Sequence, residues 1–409
     1  MTETPGPVDL VGLAAIGRMV FASSGELQPL WDRLLAAIDG GPGDAARMMD
    51  LSTILLATGN RDQGLALQAQ ALERNCLYRP GGARSGGLKL LALMAAGDLM
   101  ANTPIEFLLE GSDVELTLLY VGAGVALPPD LPEHDVAFLA VGESAANLPV
   151  LRGLEAAVPT WPRPMLNAAP RRISQLTRDG VCALLEGAPG LVAPRAARLD
   201  RTGLKRLAEG VLTLRDVLPG ADFPVLVRPI GSHAGAGLAK LDELGALSGY
   251  LEGQEGDAFY LSPFVDYSGP DGLYRKQRIA LIDGRPFVCH HAISEHWMVH
   301  YLSAGMVEHA ERREEEDGFM AGFDQDFAAR HKQAFAAMCE RIGLDYFAID
   351  CAEIKDGQLL LFEADVAMIV HAMDPPDLFP YKQRQMRKVF AAFHDLLKRK
   401  AIQQGEPSR

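Results

Sequence analysis

The sequence predicts a multidomain protein of mixed α+β and α/β class with a helical front end. Three observations predict it. Apolar residues recur at helical spacing through the first 75 positions. Between 88 and 160, short apolar runs alternate with helical stretches. Two segments, 274–292 and 347–365, each carry an Asp-Gly pair flanked by strand-like runs, which is a hairpin signal. The 409 residues suffice for two to four domains. Hydrophobic content of 48% and charged content of 22% suit a soluble globular chain. The net charge of −14 argues against nucleic acid or an anionic membrane surface as partner. The five cysteines are scattered without a CxxC pair, so neither a disulfide framework nor a zinc site is expected. No apolar run approaches the roughly 18 residues of a membrane helix. A cytoplasmic location is the expectation.

Four helices are expected in residues 1–87: 9–22, 27–38, 44–58 and a fourth ending near Asn75. The last two resemble a single tetratricopeptide helix-turn-helix, without a second copy at a fixed period. A packing or homodimer contact, or a surface for a peptide or protein partner, is the expected role. The stretch 78–87 is rich in Gly and Arg and reads as a linker. Residues 88–160 form an α/β unit: strands at 88–94, 114–121 and 135–141, and helices after Thr103-Pro104 and over 145–157. No GxGxxG follows the first strand, so this is not a dinucleotide site. Asp98, Asn102 and Thr103 are weak substrate candidates, and ordinary capping explains the last two equally well.

Residues 161–265 hold the first chemistry. A helical stretch from Pro170 to Gly187 contains Arg178. A buried strand at 225–227 then delivers Arg228, followed by Pro229-Ile-Gly231-Ser232-His233-Ala-Gly235-Ala-Gly237. Such a loop lets backbone N–H groups approach phosphate oxygens without interference from a Cβ. Ser232 and His233 add donors. It is not a P-loop, because no Gly-Lys-Ser/Thr closes it.

Residues 266–409 hold the rest. In the hairpin around Asp283-Gly284, counting outward sets Gln277 opposite His290 and Lys276 opposite His291. Lys276, Arg278 and His291 would then share a face that binds an anion, the alternative being a solvated edge with scattered basic residues. Residues 294–301 read as lining an acceptor pocket or packing as a surface-proximal segment. His296 and His300 stand at a metal-ligand spacing but lack a third ligand. The run Glu311-Arg-Arg-Glu-Glu-Glu-Asp317 reads as a solvated charged face. A helix over 327–342 stops at Gly343, and a final helix starts near Tyr381. In the last hairpin, a two-residue turn at Asp356-Gly357 sets Lys355 opposite Gln358 and Asp350 opposite Glu363. Glu363 and Asp365 share one side of their strand. Asp350, Glu363 and Asp365 therefore converge. Such acids repel one another unless a cation lies between them. The alternative is a solvated edge.

The order of these parts resembles the ATP-grasp superfamily over residues 88–395: strand, cation, Pro, Gly-Ser-x-x-Gly-x-Gly, Phe259-Tyr-Leu-Ser-Pro-Phe-Val-Asp266, then the acidic hairpin. The helical spacing sets off a tetratricopeptide-like domain at 1–87, and the resemblance implies domains at 88–160 (α/β unit), 161–265 (small subdomain with the glycine loop) and 266–409 (catalytic subdomain). It implies an ATP- and Mg²⁺-dependent ligase that joins a carboxylate to an amine through an acyl phosphate. The substrate would be a small molecule, amino acid or peptide. Arg228 would contact nucleotide phosphates under the loop. Tyr260, Leu261, Ser262 and Phe264 would form an adenine hinge, with Asp266 near the ribose. Asp350, Glu363 and Asp365 would hold Mg²⁺, and Arg278 would act on the transferring phosphoryl group. Two positions depart from the family pattern. The strand-end Lys is Arg228, and the earlier Lys position falls near Gly180, which leaves Arg178 to supply that contact. A Glu-x-Asn pattern is here Glu363-Ala-Asp365. The rival readings are an ATP-binding adaptor without ligation and phosphoryl transfer to a small metabolite.

Overall fold

The computed structural model describes residues 6–22, 25–38, 40–41, 43–81, 86–124, 127–128, 130–232 and 235–402. The front end comprises β1 (Val8–Leu10), α1 (Leu13–Ala22), α2 (Leu27–Ala36), α3 (Asp44–Ala57), α4 (Arg61–Arg74) and β2 (Leu77–Pro80). The α/β unit adds β3 (Lys89–Ala95), α5 (Ile105–Leu108), β4 (Glu115–Val121), β5 (Val136–Leu139), α6 (Leu148–Leu154) and β6 (Met165–Leu166). The four expected helices form. However, residues 8–10 are a strand rather than the start of the first helix, and the expected linker begins as a strand. Both join one six-stranded sheet in the order β1-β2-β4-β3-β5-β6. The boundary at 87 therefore falls inside a sheet. The start of α1 is tied down by two acids from elsewhere. Asp50 accepts from the backbone N–H groups of Val11 and Gly12 at 2.8 and 3.1 Å, and Glu106 accepts from Ala14 at 3.0 Å.

The stretch 170–187 is two short helices, α7 (Pro170–Ile173) and α8 (Arg178–Leu184), rather than one. Thr177 restarts the helix by capping Gly180. After β7 (Leu191–Val192) comes a four-stranded sheet in the order β10-β9-β11-β8. Its elements are β8 (Ala197–Asp200), α9 (Arg201–Ala208), α10 (Leu214–Val217), β9 (Val225–Pro229), β10 (Ala239–Leu241), α11 (Ala246–Glu252) and β11 (Ala258–Pro263). It has its own core, with Leu204, Leu207, Val225, Val227, Leu247, Phe259 and Leu261 buried together.

The remaining elements are β12 (Tyr274–Ile282), β13 (Arg285–Ser294), α12 (Ala310–Gly322), α13 (Phe327–Arg330), α14 (Lys332–Ile342), β14 (Tyr346–Glu353), β15 (Leu359–Asp365) and α15 (Lys382–Ile402). The helix expected over 327–342 is broken near His331. Gly343 ends α14 in the left-handed conformation, with φ 63°. The third sheet runs β13-β12-β14-β15-β7. One core joins it to the first sheet: Leu91, Leu93 and Leu139 pack with Phe335, Phe347, Ile349 and Leu361. On the other faces, Phe138 and Tyr346 meet Phe393 of α15. Among the described residues, no helix is long and apolar enough to cross a membrane.

Candidate active site

Alternation along strands builds the site. In β9, Val225 and Val227 enter the small core, which turns Leu226 and Arg228 to the other side. In β11, Phe259 and Leu261 are buried in that core while Tyr260 and Ser262 face out. Leu261 was expected at a nucleotide hinge, but its side chain is fully buried in the core. Across from these strands, β12 presents Lys276 and Arg278, β14 presents Asp350, and β15 presents Glu363 and Asp365. Together they line a cavity of about 430 Å³, with Arg178 of α8 and Phe264.

The two hairpins reach this arrangement differently from the simple count. At Asp283-Gly284 both residues have positive φ, 50° and 74°, which fits a two-residue turn with Ile282 opposite Arg285. A bulge between Arg278 and Ile279 then shifts the pairing, so that Arg278 faces His290 and Gln277 faces His291. His291 is therefore not on the face of Lys276 and Arg278. It stacks on Phe319 at 4.2 Å, contacts Gln277 and Glu315, and stays out of the cavity. In the other hairpin only Gly357 has positive φ, at 80°. Ile354 N–H donates to Gln358 and Gly357 N–H donates to Ile354, so the loop is one residue longer than expected and pairs Glu353 with Leu359. A bulge between Asp350 and Cys351 restores the register, and Asp350 does face Glu363.

The charges are interlocked. Asp350 accepts from Lys276 Nζ at 3.0 Å, and from Arg278 Nε and Nη2 at 2.8 and 3.0 Å. Burial alone would push its carboxyl up, but Arg278 and Lys276 outweigh that and hold it well below the usual range. Glu363 behaves likewise. Its burial is outweighed by Arg178, which donates to it, and its pKa is lowered. Asp365 has no such cation. Burial and the nearby charges of Glu363 and Glu143 raise it to about 7, against a hydrogen bond from Ala367 N–H. Arg228 is 8% exposed and has no carboxylate partner among the described residues. It donates instead to the Ser232 hydroxyl at 3.0 and 3.1 Å and to the Ser232 carbonyl. Burial and the proximity of Arg178 lower its pKa to about 10, which still leaves it charged at neutral pH.

Gly231, Gly235 and Gly237 all have positive φ, as a loop of this sharpness requires. Of these, Gly235 lines the cavity, where a Cβ would stand 3.1 Å from Met298 Sδ. His233 lies outside the described residues. Asp266 is turned away from the cavity onto Lys355 Nζ at 2.8 Å. The expected metal set is only partly gathered. Among the described residues, no group of three His, Cys, Asp or Glu is disposed to hold an ion. Asp350 has both oxygens engaged by cations, so it serves Lys276 and Arg278. Glu363 and Asp365 remain a hard-oxygen donor pair, and the carboxyl of Asp365 is raised first by burial and then by the charges of Glu363 and Glu143. These two fit a divalent ion that takes further oxygens from a bound anion.

Several lining residues were not singled out individually beforehand. Trp297, Met298 and Val299 follow β13 in the segment read as a pocket wall; His300, flagged there only for its metal-like spacing, also lines the cavity. His296 does not. Leu226 could have been found from its two-residue spacing to Arg228. Met368 and Ile369 lie in irregular chain after β15, where no periodicity marks them. Glu316, read as solvated, is fully buried. It accepts from Tyr301 and Tyr381 hydroxyls at 3.2 and 2.7 Å and from His291 N–H at 2.9 Å, and it lies 3.4 Å from Lys382 Nζ.

No protein-family model matches the chain, and no curated protein matches it. Solved structures resemble it at low identity. The D-alanine–D-alanine ligase from Coxiella burnetii is 10% identical, covering 78% of this chain and 97% of its own, with a TM-score of 0.47. The VanG D-Ala:D-Ser ligase from Enterococcus faecalis is 11% identical, covering 76% and 99%, with a TM-score of 0.44. A RimK domain ATP-grasp protein from Sphaerobacter thermophilus is 16% identical, covering 76% and 99%, with a TM-score of 0.42.

Proposed function

We propose that the protein is an ATP- and Mg²⁺-dependent ligase that activates a carboxylate as an acyl phosphate and joins it to an amine. The observation that carries this reading is Arg228. It is a buried guanidinium without a carboxylate partner among the described residues, at the end of a strand that opens into a glycine loop. Burying a charge costs several kcal/mol unless an opposite charge meets it, and a polyanion in the cavity would supply one. Arg178, Lys276 and Arg278 line the same cavity, so four cations converge where phosphates would lie. The motif order resembling ATP-grasp enzymes points the same way.

In this reading the substrate carboxylate oxygen attacks the γ-phosphorus and ADP leaves with the bridging oxygen. Arg178 and Arg228 bind phosphates, while Lys276 and Arg278 hold the phosphoryl group through its transfer. Asp350 fixes the geometry of those two cations. Glu363 and Asp365 hold Mg²⁺, which when bound neutralises phosphate charge. Catalysis here is positioning and charge neutralisation. Tyr260, Ser262 and Phe264 supply the wall for the adenine.

The test is phosphate release and product mass in the presence of ATP, Mg²⁺ and a panel of amino acids and dipeptides. Release must require both a carboxylate and an amine. Glu363→Ala should reduce it by at least about 100-fold, whereas Asp365→Asn keeps measurable turnover. Phosphate transfer to a hydroxyl compound, or ATP binding without cleavage, would reject the ligase reading.

A further inference from the structure

We propose that His300 takes the proton from the amine that attacks the activated carboxylate. The inference rests on the ligase reading and adds a residue to it. An amine arrives at neutral pH as an ammonium group, which has no lone pair for attack, so something in the cavity must accept a proton.

The other ionisable groups lining the cavity are occupied or unsuited. Lys276, Arg278 and Asp350 hold one another, and Arg178 holds Glu363. Arg228 is a cation bonded to Ser232. Asp365 is committed with Glu363 to the divalent ion in the ligase reading. Cys182 is pushed up to about 11 and Tyr260 to about 12 by burial, so both hold their protons. His300 lines the cavity, and its ring nitrogens make no hydrogen bond to any described residue. Burial, then the charges of Lys276 and Arg278 on β12, lower its pKa, with Asp350 on β14 opposing them. The ring is therefore neutral at pH 7 and carries a free lone pair.

The segment that carries His300 is held at both ends. Tyr267 donates its hydroxyl to the Trp297 carbonyl. Tyr301, the next residue, is fixed by Glu316 and by Lys382, whose ammonium also lies 3.9 Å from the centre of the Tyr301 ring. These contacts fix the chain on either side of the half-buried histidine and leave its ring nitrogens unbonded.

The imidazole lone pair takes one proton from R–NH₃⁺. The freed amine lone pair forms the C–N bond to the acyl carbon, and the C–O bond to phosphate breaks with its electron pair going to the phosphate. The second amine proton leaves with that group as HPO₄²⁻, against Lys276 and Arg278. The imidazolium returns its proton to solvent.

Hydroxylamine separates this role from a structural one, because it is largely unprotonated at pH 7 and needs no base. Wild type and His300→Gln would be given ATP, Mg²⁺ and a mixture of the twenty amino acids, with and without hydroxylamine. Hydroxamate would be read by its ferric colour and amide by mass spectrometry. The expected result is hydroxamate within about twofold of wild type and amide reduced about 100-fold at pH 7. The deficit should shrink as the pH rises to 9, and added imidazole should restore amide formation to His300→Ala. Amide within twofold of wild type in His300→Gln would overturn the inference. Parallel loss of both products would also overturn it, by showing a structural role. If wild type forms neither product, the ligase reading itself fails, and the inference with it.

Discussion

The two hairpins that face the cavity have the same turn dipeptide, Asp-Gly, and fold it in two ways. At Asp283-Gly284 both residues take positive φ, and the tight turn is followed by a bulge at Arg278 and Ile279. At Asp356-Gly357 only the glycine does, and the longer loop is followed by a bulge at Asp350 and Cys351. In the first hairpin the bulge moves a residue, His291, off the working face. In the second, the loop and the bulge each shift the register by one and cancel. Both bulges lie beside cavity residues, where the ladder is bent to aim Arg278 and Asp350 at each other. The hairpins also carry opposite charge: cations on β12, acids on β14 and β15. Each makes the other's burial tolerable.

Removing one side of that balance should have the largest effect. Asp350→Ala leaves Lys276 and Arg278 partly buried without a counter-charge, and should cost about 3–5 kcal/mol of unfolding free energy in a denaturant titration. A loss below about 1 kcal/mol would show that solvent already satisfies the cations. Next in size is a contrast in pH dependence. Asp350 has a depressed folded-state pKa, so its stabilisation is present above about pH 4 and lost as the pH falls further. Asp365 is raised from 3.8 to about 7, so its contribution is full below about pH 4 and lost as the pH rises through 7. Thermal melts of Asp365→Asn should lose the decline between pH 4 and 7, on the order of 2 kcal/mol once solvent access is allowed for. An unchanged slope would mean that Asp365 is ionised throughout that range. The smallest effect concerns the turns. Asp283→Ala should cost about 1 kcal/mol, since alanine resists positive φ and the pair with Arg399 is lost. Asp356→Ala should cost at most about 0.5 kcal/mol. Equal costs would erase the distinction between the turns.

Most of the secondary structure and many of the residues that line the candidate site are legible because their signals are local. The helical spacing in the front end, the strand that delivers Arg228, and the acids two apart in β15 each depend on a few neighbouring residues. What could not be read depends on the whole molecule. A bulge such as that between Arg278 and Ile279 has no sequence mark, yet it reverses the face of His291 relative to Lys276. Leu261 sits in a hinge-like motif, but alternation with Tyr260 sends it into a core formed by distant helices. Glu316 lies in a charged run, and its burial is explained only by distant partners: His291 N–H, the Tyr301 and Tyr381 hydroxyls, and Lys382 of α15, 66 positions on. β1 and β2 were missed because their pairing partners are remote, and three or four residues carry too little pattern to mark a strand.

The small four-stranded sheet has a mechanical consequence. It owns its core, and it is joined to the third sheet by two covalent crossings, residues 193–196 after β7 and residues 264–273 before β12. None of its strands pairs with a strand of another sheet. A body held at two points has one easy motion, rotation about the line through them. Such a rotation would widen the cavity while leaving every ladder hydrogen bond in place. Among the links across the gap that it would break is Arg198 to Asp179 at 2.7 Å. The protein could therefore admit a ligand as large as a nucleotide by swinging one sheet, without unfolding any part of itself.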